Sequence, residues 1–136
     1  MSTLIKPELS KKNKYYIDRH RYYELKHFVM EYPHWKELYN EAEGYISSHP
    51  EFKMNCQKSD PTYKVVEKRS RYSRYLYVIE RSAELCSKEL GSTILYAIIH
   101  NNTYEHLLAQ GRLYCSRNEY YETYRKFFWI LDSLRD

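Results

Sequence analysis

The sequence predicts an all-α fold, a compact single-domain bundle of five to six helices that ends in a helix-turn-helix-like pair. Three observations predict it. Only 3 glycines and 4 prolines interrupt the 136 residues. The apolar residues recur at spacings of three and four rather than two. Several stretches open on residues that cap helices. A chain of this length fits one domain with a core of its own.

Residues 1–14 are polar, rich in lysine and without periodicity, so a flexible basic arm is expected there, ahead of a helical domain over 15–136. Asp18 can cap a helix whose Leu25, Phe28, Val29 and Tyr32 share one face, and Pro33 ends it. "PHWKELYNEAEGYISS" places Trp35, Leu38, Tyr39, Ala42 and Ile46 at helical spacing, as a second, short helix packing on the first. "HPEFKMNCQKS" reads as a loop. Asp60-Pro61 pairs an N-cap with a proline whose missing N–H costs nothing in the first turn, so a long helix is expected from there to about Glu89. Its core seam is Tyr72, Leu76, Ile79, Ala83 and Cys86, while Lys64, Lys68, Arg71 and Tyr75 form a separate stripe. Gly91 reads as a helix stop, and "STILYAIIHN" as a buried helix after it. Leu76, Ile79, Ile94, Ile98, Phe128 and Leu131 are the expected core.

The last two helices carry the functional argument. "TYEHLLAQG" starts at a Thr103 cap and stops near Gly111. Ser116 and Glu119 then stand as a capping box, in which the serine oxygen takes the N–H of Glu119. Two helices joined by a tight turn, the second opening on a polar cap, are the sequence form of a helix-turn-helix, here over 103–135. The buried positions would be Tyr120, Tyr124, Phe127 or Phe128, and Leu131. Arg117, Asn118, Tyr121, Glu122 and Arg125 would face outward.

Composition limits the alternatives. No apolar run is long enough to span a membrane or to serve as a signal peptide, so cytoplasmic residence is expected, without membrane partners. Cys56, Cys86 and Cys115 lie too far apart for a zinc knuckle or a small disulfide framework, and the six histidines form no metalloprotease pair. No metal or other cofactor is implied. Glycine-rich phosphate loops, a nucleophile elbow and paired catalytic carboxylates are also missing, so an enzyme is not expected.

The chain carries 17 tyrosines against 4 phenylalanines and 2 tryptophans. Tyrosine joins a large ring to a polar tip and suits boundaries, interfaces and base platforms. Its net charge is +4. From Pro61 to Ser82, six cations (Lys64, Lys68, Arg69, Arg71, Arg74 and Arg81) face two anions, Glu67 and Glu80, so this one segment accounts for the whole excess. Base reading needs hydrogen-bonding side chains more than bulk charge, which suggests a division of labour. Arg117, Asn118, Tyr121, Arg125 and Lys126 would read or border the bases, while Lys64, Lys68, Arg71, Arg74 and Tyr75 hold the backbone.

"YYELKHF", "YPHWK", "DPTYKVVEKRSRYSRYLYVIERSA" and above all "CSRNEYYETYRKFFWIL" resemble small tyrosine-rich proteins of phages and prophages of Gram-positive bacteria. These resemble RinA- and ArpU-type phage transcription regulators, whose C-terminal part is similar to the helix-turn-helix of sigma factor region 4. The resemblance spans roughly residues 15 to 135. It departs from the pattern at Gly111, where an aliphatic residue is expected, and at Tyr114, where proline is. What it implies is a DNA-binding transcription regulator in the cytoplasm of a bacterial host cell. Its partners would be double-stranded DNA and RNA polymerase or another host protein, with a homodimer as one form.

Two rivals come from other classes. An ordinary helical hairpin in a phage-encoded protein-interaction module, inhibiting a host nucleic-acid enzyme in the manner of an anti-CRISPR, would use the same tyrosines and arginines. The near balance of charge over Ser116 to Arg135, four cations to three anions, is weak for a helix inserted among phosphates and suits an ordinary helical hairpin. Single-strand binding by tyrosine stacking lacks the usual sheet platform.

Overall fold

The computed structural model describes residues 13–48 and 61–135, and among them it contains six helices and no strand. The expected loop at 49–59, the Asp60 cap and all of the expected arm except Asn13 and Lys14 lie outside the described residues. The chain divides into two compact units, one built from the segment up to Glu31 with Val78 onward, the other from Tyr32–Tyr77.

In the first unit, α1 (Arg19–Met30) opens where the Asp18 carboxylate accepts the His20 N–H at 3.1 Å. Tyr22, Leu25, Phe28 and Val29 are its buried face, and α1 packs on α4 (Gly91–His100) and α6 (Arg117–Arg135). Across to α6, Arg21 Nε donates to Asp132 at 2.5 Å, and the Arg135 guanidinium lies 4.1 Å over the Phe28 ring. Ile79, Ile94, Ile98, Phe128 and Leu131 are fully buried as expected, whereas Leu76 is only half-buried.

The second unit holds α2 (Tyr32–Ser48) and residues 61–77 of α3 (Pro61–Cys86). Pro33 has no N–H to offer the Val29 carbonyl, so the chain breaks at Glu31 and helix resumes at Tyr32. At 17 residues α2 is not the short helix expected. Ala42 and Ile46 are buried, the Trp35 ring lies against Tyr72 (6.0 Å, stacked) and Tyr75 (5.0 Å, edge-on), and Arg69 pairs with Glu43 at 2.5 Å.

One expectation is overturned at the junction of α3 and α4. Gly91 is not a helix stop: α3 has already ended at Cys86, and Gly91 is the first residue of α4. A Cβ there would stand 2.2 Å from the Ala83 carbonyl oxygen, so only glycine lets α4 start this close to the α3 backbone. The left-handed residue that ends α4 is Asn101 (φ 54), whose N–H reaches Ile98 O while that of Asn102 reaches Ala97 O.

Candidate nucleic-acid interface

The basic stripe is built by helical periodicity alone. Lys64, Lys68 and Arg71 follow one another at i, i+4 and i+7, with Arg74 beside them, on the part of α3 that belongs to the second unit. All four are exposed, and none makes an ion pair or hydrogen bond with a described residue. By contrast, Arg21, Arg69, Arg81, Arg117, Arg125 and Arg135 all have carboxylate partners. From Lys64 to Arg74 the four cations span ten residue steps, about 15 Å of helix, and duplex DNA of that length carries about nine phosphates. Tyr75 does not extend the stripe outward, because it is half-buried against Trp35.

The C-terminal pair is a more closed structure than expected. Thr103 caps α5 (Tyr104–Ala109) by accepting the His106 N–H at 3.2 Å. The helix stops in a Schellman turn: Gly111 takes φ +71, its N–H reaches Leu108 O, and the Arg112 N–H reaches Leu107 O, both at 3.0 Å. The chain then needs residues 110–116 to reach α6, a longer connection than the roughly 3–4-residue turn of a helix-turn-helix. Leu113, buried midway, anchors it, and the Tyr104 hydroxyl donates to Cys115 O at 2.8 Å. The Ser116 hydroxyl accepts the Glu119 N–H at 3.1 Å, as the capping box requires.

On α6 the expected outward face is only partly free. Tyr121 is buried, with ring centroids 6.1 Å from Tyr104, 5.1 Å from Tyr120 and 6.3 Å from Tyr124, and it presents nothing to a base edge. The reason is angular. Arg117, Tyr121, Tyr124 and Phe128 are separated by 4, 3 and 4, so they share the stripe that packs inward. Arg117, on the first turn of that stripe, is therefore turned back over α5. Its guanidinium pairs with Glu105 and lies 5.7 Å over the Tyr104 ring and 5.4 Å over Tyr121. A backbone hydrogen bond, and after it this pairing, lowers the Glu105 carboxyl pKa, while the pairing raises that of Arg117.

The remaining sites of the pair divide as follows. Arg125 is half-buried and 3.4 Å from Glu122. Lys126 is half-buried, and its charge acts on the Cys86 thiol at the end of α3, although burial prevails and pushes that thiol up to about 11. Asn118 alone of the proposed base readers is exposed without a partner among the described residues. Both Phe127 and Phe128 are buried, as is Tyr120, whereas the Tyr124 ring stays partly exposed while its hydroxyl lies 2.8 Å from that of Tyr22.

Arg112 was not singled out by the sequence. Its guanidinium lies 4.1 Å over the Tyr96 ring, a contact between residues far apart in the chain that no local spacing signals. Comparison of the chain with known protein families, with curated proteins and with solved structures gave no match.

Proposed function

We propose that this protein is a DNA-binding regulator of the phage type that the resemblance implies, held on the duplex by the α3 stripe. The observation that carries this reading is that Lys64, Lys68, Arg71 and Arg74 are exposed without a carboxylate partner among the described residues, where six other arginines are paired. Exposed cations without carboxylate partners exchange water and counterions for phosphate at no cost in broken ion pairs. The C-terminal pair keeps a smaller share of the reading: Asn118, exposed and without a partner among the described residues, could meet a base, and Arg117 reaches one only by leaving Glu105. Action in the bacterial cytoplasm, as a dimer or together with RNA polymerase, belongs to the same proposal. No described helix is long and apolar enough to cross a membrane.

The test is the salt dependence of duplex binding, read by fluorescence anisotropy. Four phosphate contacts give a slope of about −3.6 in log K against log salt. Lys68→Ala and Arg71→Ala should each flatten it by about 0.9, with equal loss on every sequence. Absence of duplex binding at low salt, or slopes equal to the parent's, refutes the assignment. A protein-interaction module remains the second reading, favoured by rings left in water: Tyr114 is 92% exposed, Tyr77 60% and Trp129 43%. Capture of one host protein at moderate salt, with no duplex affinity, selects it.

A further inference from the structure

A hollow of about 540 Å³ lies beside the stop of α5, lined by Ser92, Thr93 and Tyr96 of α4 and by Gly111, Arg112 and Tyr114 of the connection to α6. The sequence dictates how its cation is presented. Gly111 takes the left-handed turn that ends α5, and the Arg112 N–H closes the Schellman bond to Leu107 O. The backbone of Arg112 is thereby fixed. Its guanidinium rests 4.1 Å over the Tyr96 ring, whose other neighbour is the His100 imidazole at 4.1 Å.

Stacking fixes the plane of a guanidinium without using its N–H donors. Those of Arg112 meet no acceptor among the described residues, nor do the hydroxyls of Ser92 and Thr93. The lining contains one charge, a cation, and no carboxylate. At the rim stands Tyr114, 92% exposed, with a ring that nothing in the described structure covers. An oriented fork of donors with two hydroxyls suits a phosphate group, and an uncovered ring suits a base. The volume lies within the roughly 300–1,000 Å³ of small-molecule pockets.

We propose that this hollow binds a nucleotide, with its phosphate on Arg112, Ser92 and Thr93 and its base stacked on Tyr114. The nucleotide comes either free or as the 5′-phosphorylated end of a single strand. The proposal does not rest on the α3 stripe, which lies in the other unit, so the two succeed or fail separately.

The test is calorimetric titration of the full chain with adenosine 5′-monophosphate, adenosine, inorganic phosphate and a 5′-phosphorylated single-stranded tetranucleotide. The monophosphate, the tetranucleotide or both should saturate, about tenfold tighter than adenosine or inorganic phosphate. Saturation by the monophosphate alone identifies a free nucleotide as the ligand, and much tighter binding of the tetranucleotide identifies a strand end. Arg112→Ala and Tyr114→Ala should each weaken binding about tenfold, and Arg112→Lys should not restore it, since lysine lacks the stacked fork. Lys68→Ala should leave it unchanged. Both Arg112 and Tyr114 are exposed, and an unshifted melting curve verifies that the variants fold. Failure of both nucleotide probes to saturate, equal affinity for inorganic phosphate, or indifference to both alanine variants overturns the proposal.

Discussion

Replacing each glycine in turn by alanine should change stability with a sign that helix propensity alone does not give. Gly91 is the sharpest case. On propensity, alanine in a helix gains about 1 kcal/mol over glycine. Here the new Cβ would meet Ala83 O at 2.2 Å and the Ala83 carbonyl carbon at 2.8 Å, more than an ångström short of an ordinary 3.4 Å contact with the oxygen. Both atoms are backbone within α3, so no side chain can swing aside and α4 must move as a whole. Overfilling of this kind costs about 1 to 3 kcal/mol. At this chain length that lowers the melting temperature by about 3 to 15 °C. Gly44, on exposed α2, has nothing within 4 Å, so Gly44→Ala should stabilise its unit by about 1 kcal/mol. Gly111 also has open space, but its φ of +71 makes Gly111→Ala cost about 1 to 2 kcal/mol in backbone strain. Thermal melting followed by circular dichroism reads all three. A Gly91→Ala protein that melts at or above the parent refutes the close approach of α4 to α3.

Three further outcomes follow from the core and its titrating groups. Phe128→Ala should cost about 3 to 5 kcal/mol in urea unfolding, because the ring is wholly buried between Tyr22, Tyr124 and Phe127; an unchanged midpoint would remove it from the core. Tyr121→Ala should cost about 2 to 5 kcal/mol in the same unfolding assay, whereas a fully stable variant would return Tyr121 to the outer face. Alkali should destabilise the fold: above its ordinary value of 9.0 the Cys86 thiol ionises in the unfolded chain, while the folded chain holds the proton to about 11. Stability therefore falls as pH rises from 9 toward 11, by about 2 to 3 kcal/mol from this group. The raised Tyr120 and Tyr124 hydroxyls add to the loss above their ordinary 10.0. Cys86→Ala should make the decline shallower, and equal unfolding free energies at about pH 8 and about pH 11 would contradict the burial of all three groups.

The elements themselves were largely legible in the chain, because caps and periodicity act over a few residues. Asp18, Thr103 and Ser116 form the caps their spacing implied, Pro61 begins α3, and the α3 stripe is exposed where a helical repeat places it. The orientation of α6 was misread in part: Arg117 and Tyr121 were expected to face outward, although their spacing puts them on one stripe with Tyr124 and Phe128, and Tyr121 is buried. Charge was a poor guide because the partner of Arg117, Glu105, sits on another helix. Gly91 illustrates the same limit: a glycine that ends a helix and one that admits a neighbouring backbone look alike until the second helix is in place. The Arg112 and Tyr96 contact joins residues 16 apart through a turn, beyond any local repeat.

The Tyr22 and Tyr124 hydroxyls, 2.8 Å apart, bear on why so many rings here are tyrosine and not phenylalanine. Two phenylalanines would accept a range of rotations and slides between α1 and α6, since dispersion is indifferent to direction. A hydroxyl pair is not: one oxygen must donate and the other accept, and a shift of about an ångström breaks the bond while leaving both groups short of water. Tyr104 imposes the same condition on the loop carbonyl of Cys115. The tyrosines thus act as registration marks inside the first unit, selecting one helix setting among several that would fill the space equally well.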